Sequence, residues 1–289
     1  MSICTLCPRE CAIDRSLAKG FCGVSDKILI SKIMLHHWEE PSISGTNGSG
    51  AIFFGGCPLK CVYCQNKDIS HGGVGKEYSV SELANVFLDL QKQGAHNVNL
   101  VTPTHYSDKI IEALSLVKGE LKIPVVYNTS GYEKPEIIKK TADHVSIFLT
   151  DIKYFSPELS LKYSKCKDYY ALAKASFGEM LSAKPKCVFD ENGLMTSGVI
   201  LRHLVLPSNR ADSIAILEDI KKDFDIFSFK LSLMSQYTPD FYEGEFKELK
   251  RKITSFEYDS VVNRALELGY DGYIQERSSA SSKYTPDFS

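Results

Sequence analysis

The sequence lacks a long hydrophobic run: no stretch of its 289 residues approaches the length needed to span a bilayer. It lacks an apolar leader as well, because Arg9, Glu10, Asp14, Arg15 and Lys19 fall among three cysteines in the first twenty residues. That excludes a secretory h-region there and leads us to expect a cytoplasmic protein. Charge of one sign is missing too: the formal net charge is -2, so no global field recruits nucleic acid or an anionic membrane, and neither is expected as a partner. Internal repeats and low-complexity segments are absent. The glycine-rich stretch Gly45–Gly50 lacks the Lys-Ser/Thr of a phosphate loop and leads into a strand, where such a loop would open a helix. The Asn-x-Ser/Thr triplets at Asn47 and Asn128 carry no weight in a cytoplasmic protein.

Cysteine, by contrast, is abundant. Nine cysteines suit a reducing compartment in which thiolates bind metal. Three of them, Cys57, Cys61 and Cys64, follow the short apolar run Ala51–Gly56 in the spacing C-x3-C-x2-C. Thiolates are the soft ligands of iron–sulfur clusters, and a cubane has four irons, so a loop with three thiolates leaves one iron open for chemistry. A zinc knuckle is the plainer alternative for this trio. Cys166 and Cys187 stand outside any ligand spacing and read as ordinary buried thiols.

The other four, Cys4, Cys7, Cys11 and Cys22, lie in a segment too short to bury a core. Four soft ligands there suggest a closed metal site that supplies folding energy directly. The spacing is compatible with structural zinc, which we place slightly ahead, or with an auxiliary iron–sulfur cluster; a disulfide framework does not suit the compartment. We therefore expect residues 1–48 to form a small N-terminal cysteine-rich metal-binding module and residues 49–289 to form the body. His36 and His37 lie close to the module, but adjacent residues of a strand point in opposite directions, so one packed and one exposed histidine is the expectation.

From Ala51 the pattern alternates regularly. Apolar runs at Ala51–Gly56, Val98–Val101, Ile123–Val126, Val145–Leu149, Val199–Leu206 and Phe229–Met234 are separated by segments of helical pattern at 79–93, 107–118, 134–140, 157–181, 210–221 and 254–268. Six strand–helix pairs imply a parallel sheet, and the length suits an α/β barrel. Ser81 with Glu82 offers a helix start, Gly94 and Gly269 offer stops, and Asp190-Glu191-Asn192-Gly193 reads as a hairpin turn. A further helix over 241–252, carrying Lys247, Lys250, Arg251 and Lys252, is expected to present a solvated face.

Active sites of parallel α/β barrels lie at the C-terminal ends of the strands. Here those ends are polar almost throughout: the cysteine loop, Thr102–Tyr106, Asn128–Tyr132, Thr150–Tyr154, Arg202 with His203, and Ser235–Tyr237. Asp151 and Lys153 stand one residue apart at a strand tip and so project to the same side. His105, Tyr106 and Tyr132 are candidates for substrate contact.

C-x3-C-x2-C at the end of a first strand, with Tyr63 just before the last cysteine, resembles the radical SAM superfamily. Asp151-Ile152-Lys153, Asn128-Thr129-Ser130-Gly131 and the Arg202–Pro207 segment resemble the corresponding elements of pyruvate formate-lyase activating enzymes. The segments Asn99–Tyr106, Val125–Tyr132, Leu201–Pro207, Ser232–Pro239 and the tail Tyr284–Phe288, with the N-terminal Cys4-x2-Cys7-Pro8-Arg9-x-Cys11, are similar along essentially the whole chain to the activating-enzyme-like group called PflX. The resemblance implies a partial (β/α)6 radical SAM barrel. It implies a [4Fe-4S] cluster on Cys57, Cys61 and Cys64, with S-adenosylmethionine (SAM) chelating the fourth iron. Asp151 would then meet the ribose, Lys153 the carboxylate, and Asn128, Thr129 and Ser130 the methionine end. Arg202 would lie near the SAM and Tyr63 near the adenine. An external electron donor of flavodoxin or ferredoxin type is implied as well.

Two positions depart from the family pattern. Thr102-Pro103-Thr104-His105 stands where a Gly-Gly-Glu element usually contacts the SAM amino group, and Gln236 stands where the well-known activating enzymes place a histidine near the adenine. Substrate identity is what these departures touch: a glycyl radical enzyme, a peptide or a small metabolite. The alternative from another class is an iron–sulfur electron-transfer module without SAM chemistry. Such a module has no need of an open iron, Asp151 or Lys153.

Overall fold

The computed structural model describes residues 3–72, 74–280 and 286, with the side chain of Arg277 excepted. Of the tail segment Tyr284–Phe288, only Pro286 lies within the described residues. Chain order runs β1 (Ile28–His36), α1 (Pro41–Ser44), β2 (Ser49–Phe54), α2 (Lys67–Ser70), β3 (Lys76–Tyr78), α3 (Val80–Lys92), β4 (Val98–Val101), α4 (Ser107–Leu116), β5 (Val125–Thr129) and α5 (Pro135–Thr141). It continues with β6 (Ile147–Asp151), α6 (Pro157–Ser164), α7 (Tyr169–Ala183), β7 (Val188–Phe189), β8 (Met195–Leu204), α8 (Arg210–Asp223), β9 (Lys230–Met234), α9 (Ser255–Leu268) and β10 (Gly272–Ile274).

One mixed sheet runs in the order β10-β9-β8-β6-β5-β4-β2-β1-β3. β2, β4, β5, β6, β8, β9 and β10 are parallel; β1 pairs antiparallel with both β2 and β3. The six parallel strands that the alternation predicts are β2, β4, β5, β6, β8 and β9. They are short and almost wholly buried, as strands covered on both faces must be. β1 adds to the six: residues 28–36 lie between β2 and the edge strand β3, with His36 opposite Ser49. The main core lies between sheet and helices. On the other face α1 inserts Ile43 against Val126, Leu149 and Ile200, which precede Asn128, Asp151 and Arg202 by two residues. That apolar layer sits beneath the polar one.

Helix ends follow local chemistry. α3 starts at Ser79, not Ser81: Ser79 Oγ accepts from the Glu82 amide while the Glu82 carboxylate accepts from the Ser79 amide, a capping box. α9 has the same device in Thr254 and Glu257 and ends at Gly269 in the left-handed conformation. The predicted hairpin turn joins β7 to β8, with Asp190 Oδ1 accepting from the amides of Asn192 and Leu194.

Two helical expectations are corrected. The stretch 157–181 is two helices, because α6 ends at Lys165, whose backbone is left-handed at φ 55°. The segment 241–252 forms only the 3-10 turns Pro239–Phe241 and Lys247–Lys250. Glycine at 244 weakens the helix, and the Tyr242 hydroxyl folds back to accept from the Phe246 amide at 2.8 Å. Its cations are not all solvated: Arg251 pairs with Glu257, and Lys252 Nζ donates to the Ala280 carbonyl. Among the described residues no helix is long and apolar enough to cross a membrane.

Candidate active site

Strand tips of β2, β4, β5, β6, β8 and β9 open on a cavity of ≈ 630 Å³. Cys57, Cys61 and Cys64 lie along it with Tyr63, Asn128, Thr129, Ser130, Asp151, Lys153, Arg202 and Gln236, so every residue expected to hold the cluster or SAM lines the same cavity. The cysteine loop turns tightly because Gly56 and Lys60 take positive φ, at 82° and 49°. Gly56 has no room for a side chain, since a Cβ there would lie 2.7 Å from the Cys22 carbonyl oxygen.

Burial, reinforced by Cys61 and Cys64, pushes the Cys57 thiol up to about 12, and burial likewise raises Cys64. Such thiols keep their protons until a metal replaces them. Ser164 Oγ donates to Cys61 Sγ at 3.1 Å. Among the described residues no three Cys, His, Asp or Glu side chains close on the position of a single metal ion.

Arg202 is the electrostatic hub. Its Nε donates to Asp151 Oδ1 at 3.1 Å, Nη1 to Glu39 Oε2 at 3.0 Å and Nη2 to Asn128 Oδ1 at 2.5 Å. Asn128 Nδ2 in turn donates to Glu39 Oε1 at 3.1 Å. Lys153 Nζ lies 2.6 Å from Asp151 Oδ2. Burial would raise the Asp151 carboxyl, but the charges of Lys153 and Arg202 outweigh it and hold the group below the usual carboxylate range. Ser130 Oγ is buried in the cavity wall without a hydrogen-bond partner among the described residues. An orphaned hydroxyl beside an Asp–Lys pair fits the amino-acid end of SAM, which offers both donors and acceptors. At the opposite wall Tyr63 packs edge-on against Tyr154, Tyr163 and Tyr237, and the Tyr154 hydroxyl donates to that of Tyr63 at 2.7 Å.

Comparison with known proteins places the chain in a family. Residues 51–183 match the family model described as the radical SAM superfamily. An uncharacterized protein of Methanocaldococcus jannaschii is 30% identical over 283 residues, covering 93% of this chain and 77% of that protein. The chain belongs to the radical SAM superfamily. Membership implies a [4Fe-4S] cluster and SAM, and the cysteine loop and polar strand tips have the chemistry to hold them. A radical SAM methyltransferase from Sphaerobacter thermophilus superposes with a TM-score of 0.53 at 10% identity, over 78% of this chain and 66% of that one. Streptococcus suis SuiB bound to precursor peptide SuiA superposes with a TM-score of 0.50 at 13% identity, over 76% of this chain and 46% of that one. Both show the radical SAM fold; this chain spans just under two thirds of the first structure and under half of the second.

Not every predicted residue reaches the radical SAM cavity. His105 is buried beneath the loop, its Nε2 2.8 Å from the Gly55 carbonyl, and burial lowers its pKa to about 3. The Tyr106 hydroxyl donates to the same carbonyl at 3.3 Å, and the Tyr132 hydroxyl donates to Asp168 at 3.2 Å. These three shape the loop's surroundings instead of the cavity, because the 3-10 turn Thr104–Tyr106 after β4 and the turn at Gly131 after β5 direct them into the core. His203 likewise bridges the Ile152 carbonyl and Ser213 at 2.7 and 2.8 Å. Thr129 lines the cavity, but its hydroxyl donates to buried Glu133, as does that of Thr104.

Sequence reasoning missed Glu39 and Glu40, which line the same cavity. The available signal was a pair of adjacent acids ending an alternating, β-patterned segment. Of the N-terminal cysteines, Cys11 and Cys22 come close together: a Cβ on Gly20 would lie 3.4 Å from Cys22 Sγ and 3.6 Å from Cys11 Sγ. Burial, with Cys22 and Cys11 nearby, pushes Cys7 up to about 12. Their segment abuts the catalytic loop, with the Cys57 amide donating to the Cys22 carbonyl at 3.2 Å.

Proposed function

We propose that this chain is an oxidoreductase of the activating-enzyme-like, PflX-like group, which cleaves SAM reductively at a [4Fe-4S] cluster held by Cys57, Cys61 and Cys64. The observation that carries the reading is the convergence of the cysteine loop with Asp151, Lys153, Asn128, Ser130 and Arg202 on one cavity. When bound, the cluster and SAM would supply reductive cleavage of the SAM C5′–S bond and radical hydrogen abstraction from the substrate, with the electron coming from an external flavodoxin- or ferredoxin-type donor.

The chain's own residues hold and orient. Cys57, Cys61 and Cys64 would hold the cluster through their thiolates. Lys153 binds the SAM carboxylate through charge-assisted hydrogen bonds, Asp151 accepts from the ribose hydroxyls, and Ser130 completes the amino-acid pocket. Arg202 fixes Asp151 and Asn128 in register from behind. Gln236 stands near the adenine with Tyr63. Cys4, Cys7, Cys11 and Cys22 hold zinc or a second cluster next to the catalytic loop. The substrate is a glycyl radical enzyme, another peptide or a small metabolite, and the working compartment is the cytoplasm.

Anaerobic reconstitution, followed by dithionite and SAM, tests the reading through the 5′-deoxyadenosine formed. Product that disappears in the triple Cys57/Cys61/Cys64→Ala protein supports it. A cluster-loaded sample that neither forms product nor binds SAM overturns it in favour of electron transfer.

A further inference from the structure

The cavity extends beyond the SAM-binding strand tips. Because β1 runs antiparallel to β2, the residues that follow His36 lie at the starts of the parallel strands, at the far end from the cysteine loop. There His36 and Glu40 line a floor for which neither cluster nor SAM has a use. His36 and Glu40 are each only 8% exposed. Their atoms His36 Nδ1 and Glu40 Oε2 have no hydrogen-bond partner among the described residues. Buried polar atoms are nearly always paired, so two orphans on a cavity wall mark a place where a ligand supplies the partner.

The charges around them select the ligand. Among the described residues, the two cations lining the cavity are already held by carboxylates: Arg202 by Asp151 and Glu39, and Lys153 by Asp151. An anionic group brought to the floor would meet Glu39 and Glu40, with no free cation among the described lining residues to receive it. A protonated amine would meet an unpaired carboxylate oxygen and relieve the cost of burying it. We propose that Glu40 Oε2 is the acceptor for a protonated amine of the substrate, with His36 Nδ1 as a second, neutral hydrogen-bonding partner.

This inference rests on the radical SAM reading, which sets where the substrate's reacting carbon must lie: toward the cysteine loop, with the amine at the opposite end. It names the substrate as a small amine or an amine-bearing side chain.

The test uses the reconstituted full-length protein and three probes of one shape, n-butylamine, n-butanol and butyrate, titrated by NMR with and without SAM. Expected is selective binding of the amine, weakened about tenfold or more in Glu40→Gln and partly restored in Glu40→Asp. Equal or better binding of butyrate, an amine affinity unchanged in Glu40→Gln, or no binding of any probe to the unaltered protein would overturn the proposal. A SAM titration of the same samples keeps the two readings apart. Failure to take SAM sinks the radical SAM reading, whereas loss of the amine with SAM retained is the signature of the floor site.

Discussion

Arg9 Nε donates to the carbonyl of Pro58, the residue after the first cluster cysteine, at 2.8 Å. The same guanidinium donates to the carbonyls of Lys165 at 2.7 Å and Ser164 at 2.8 Å. Those are carbonyls at the C-terminus of α6, which the helix itself cannot satisfy. One side chain of the N-terminal cysteine segment thereby buckles the cluster loop to the helix whose Ser164 donates to Cys61.

Arg9→Ala should therefore lower stability by on the order of 2 kcal/mol and reduce the iron retained per chain. Thermal unfolding and iron analysis after reconstitution check it. Arg9→Lys should recover little, because an ammonium cannot reproduce the planar fork that reaches three carbonyls.

Lys153→Ala should weaken SAM binding about ten- to a hundredfold, the worth of a charge-assisted hydrogen bond in a buried site. Equilibrium dialysis with the cluster intact is the measurement. Asp151→Asn should do at least as much, because it leaves Arg202 and Lys153 facing each other without the carboxylate they share.

Burial lifts the Glu133 carboxyl from 4.5 to about 7 against the hydrogen bonds of Thr104 and Thr129. Between those two values the folded chain keeps a proton that the unfolded chain has released, so stability falls as pH rises through that window and levels off above it. Glu133→Gln should remove this dependence, with the difference between the proteins changing by roughly 3 kcal/mol from below pH 4.5 to above pH 7. Urea unfolding across that range would show it; parallel curves for the two proteins would refute it.

Gly131 has φ 78°, and a Cβ there would stand 2.2 Å from the Asp151 carbonyl oxygen. Gly131→Ala should cost about 2–4 kcal/mol and displace the strand tip that carries Asp151, so SAM affinity should fall with stability. Chemical unfolding and SAM titration on one preparation would test both.

The parallel strands were legible because burial on both faces leaves an unbroken apolar run, and the cavity-lining side chains because each stands at a strand tip. Local signals fail where position depends on distant partners. β1 alternates as Ile28, Ile30 and beyond, but only its pairing with β2 reveals that it carries Glu39 and Glu40 beneath Arg202. His105 and Tyr132 look like site residues in sequence; turn geometry aims them at Gly55 and Asp168. Nor does periodicity show the break at Lys165, whose carbonyl is held by Arg9, 156 residues away.

The chain has one tryptophan, and Trp38 lies in the wall of the cavity beside Glu39 and Glu40. Indole emission therefore has a single source, placed where cofactor and substrate are expected to meet. Fifteen tyrosines contribute nothing to light excited selectively in that indole, so the protein carries its own optical probe of cavity occupancy, with no label to attach.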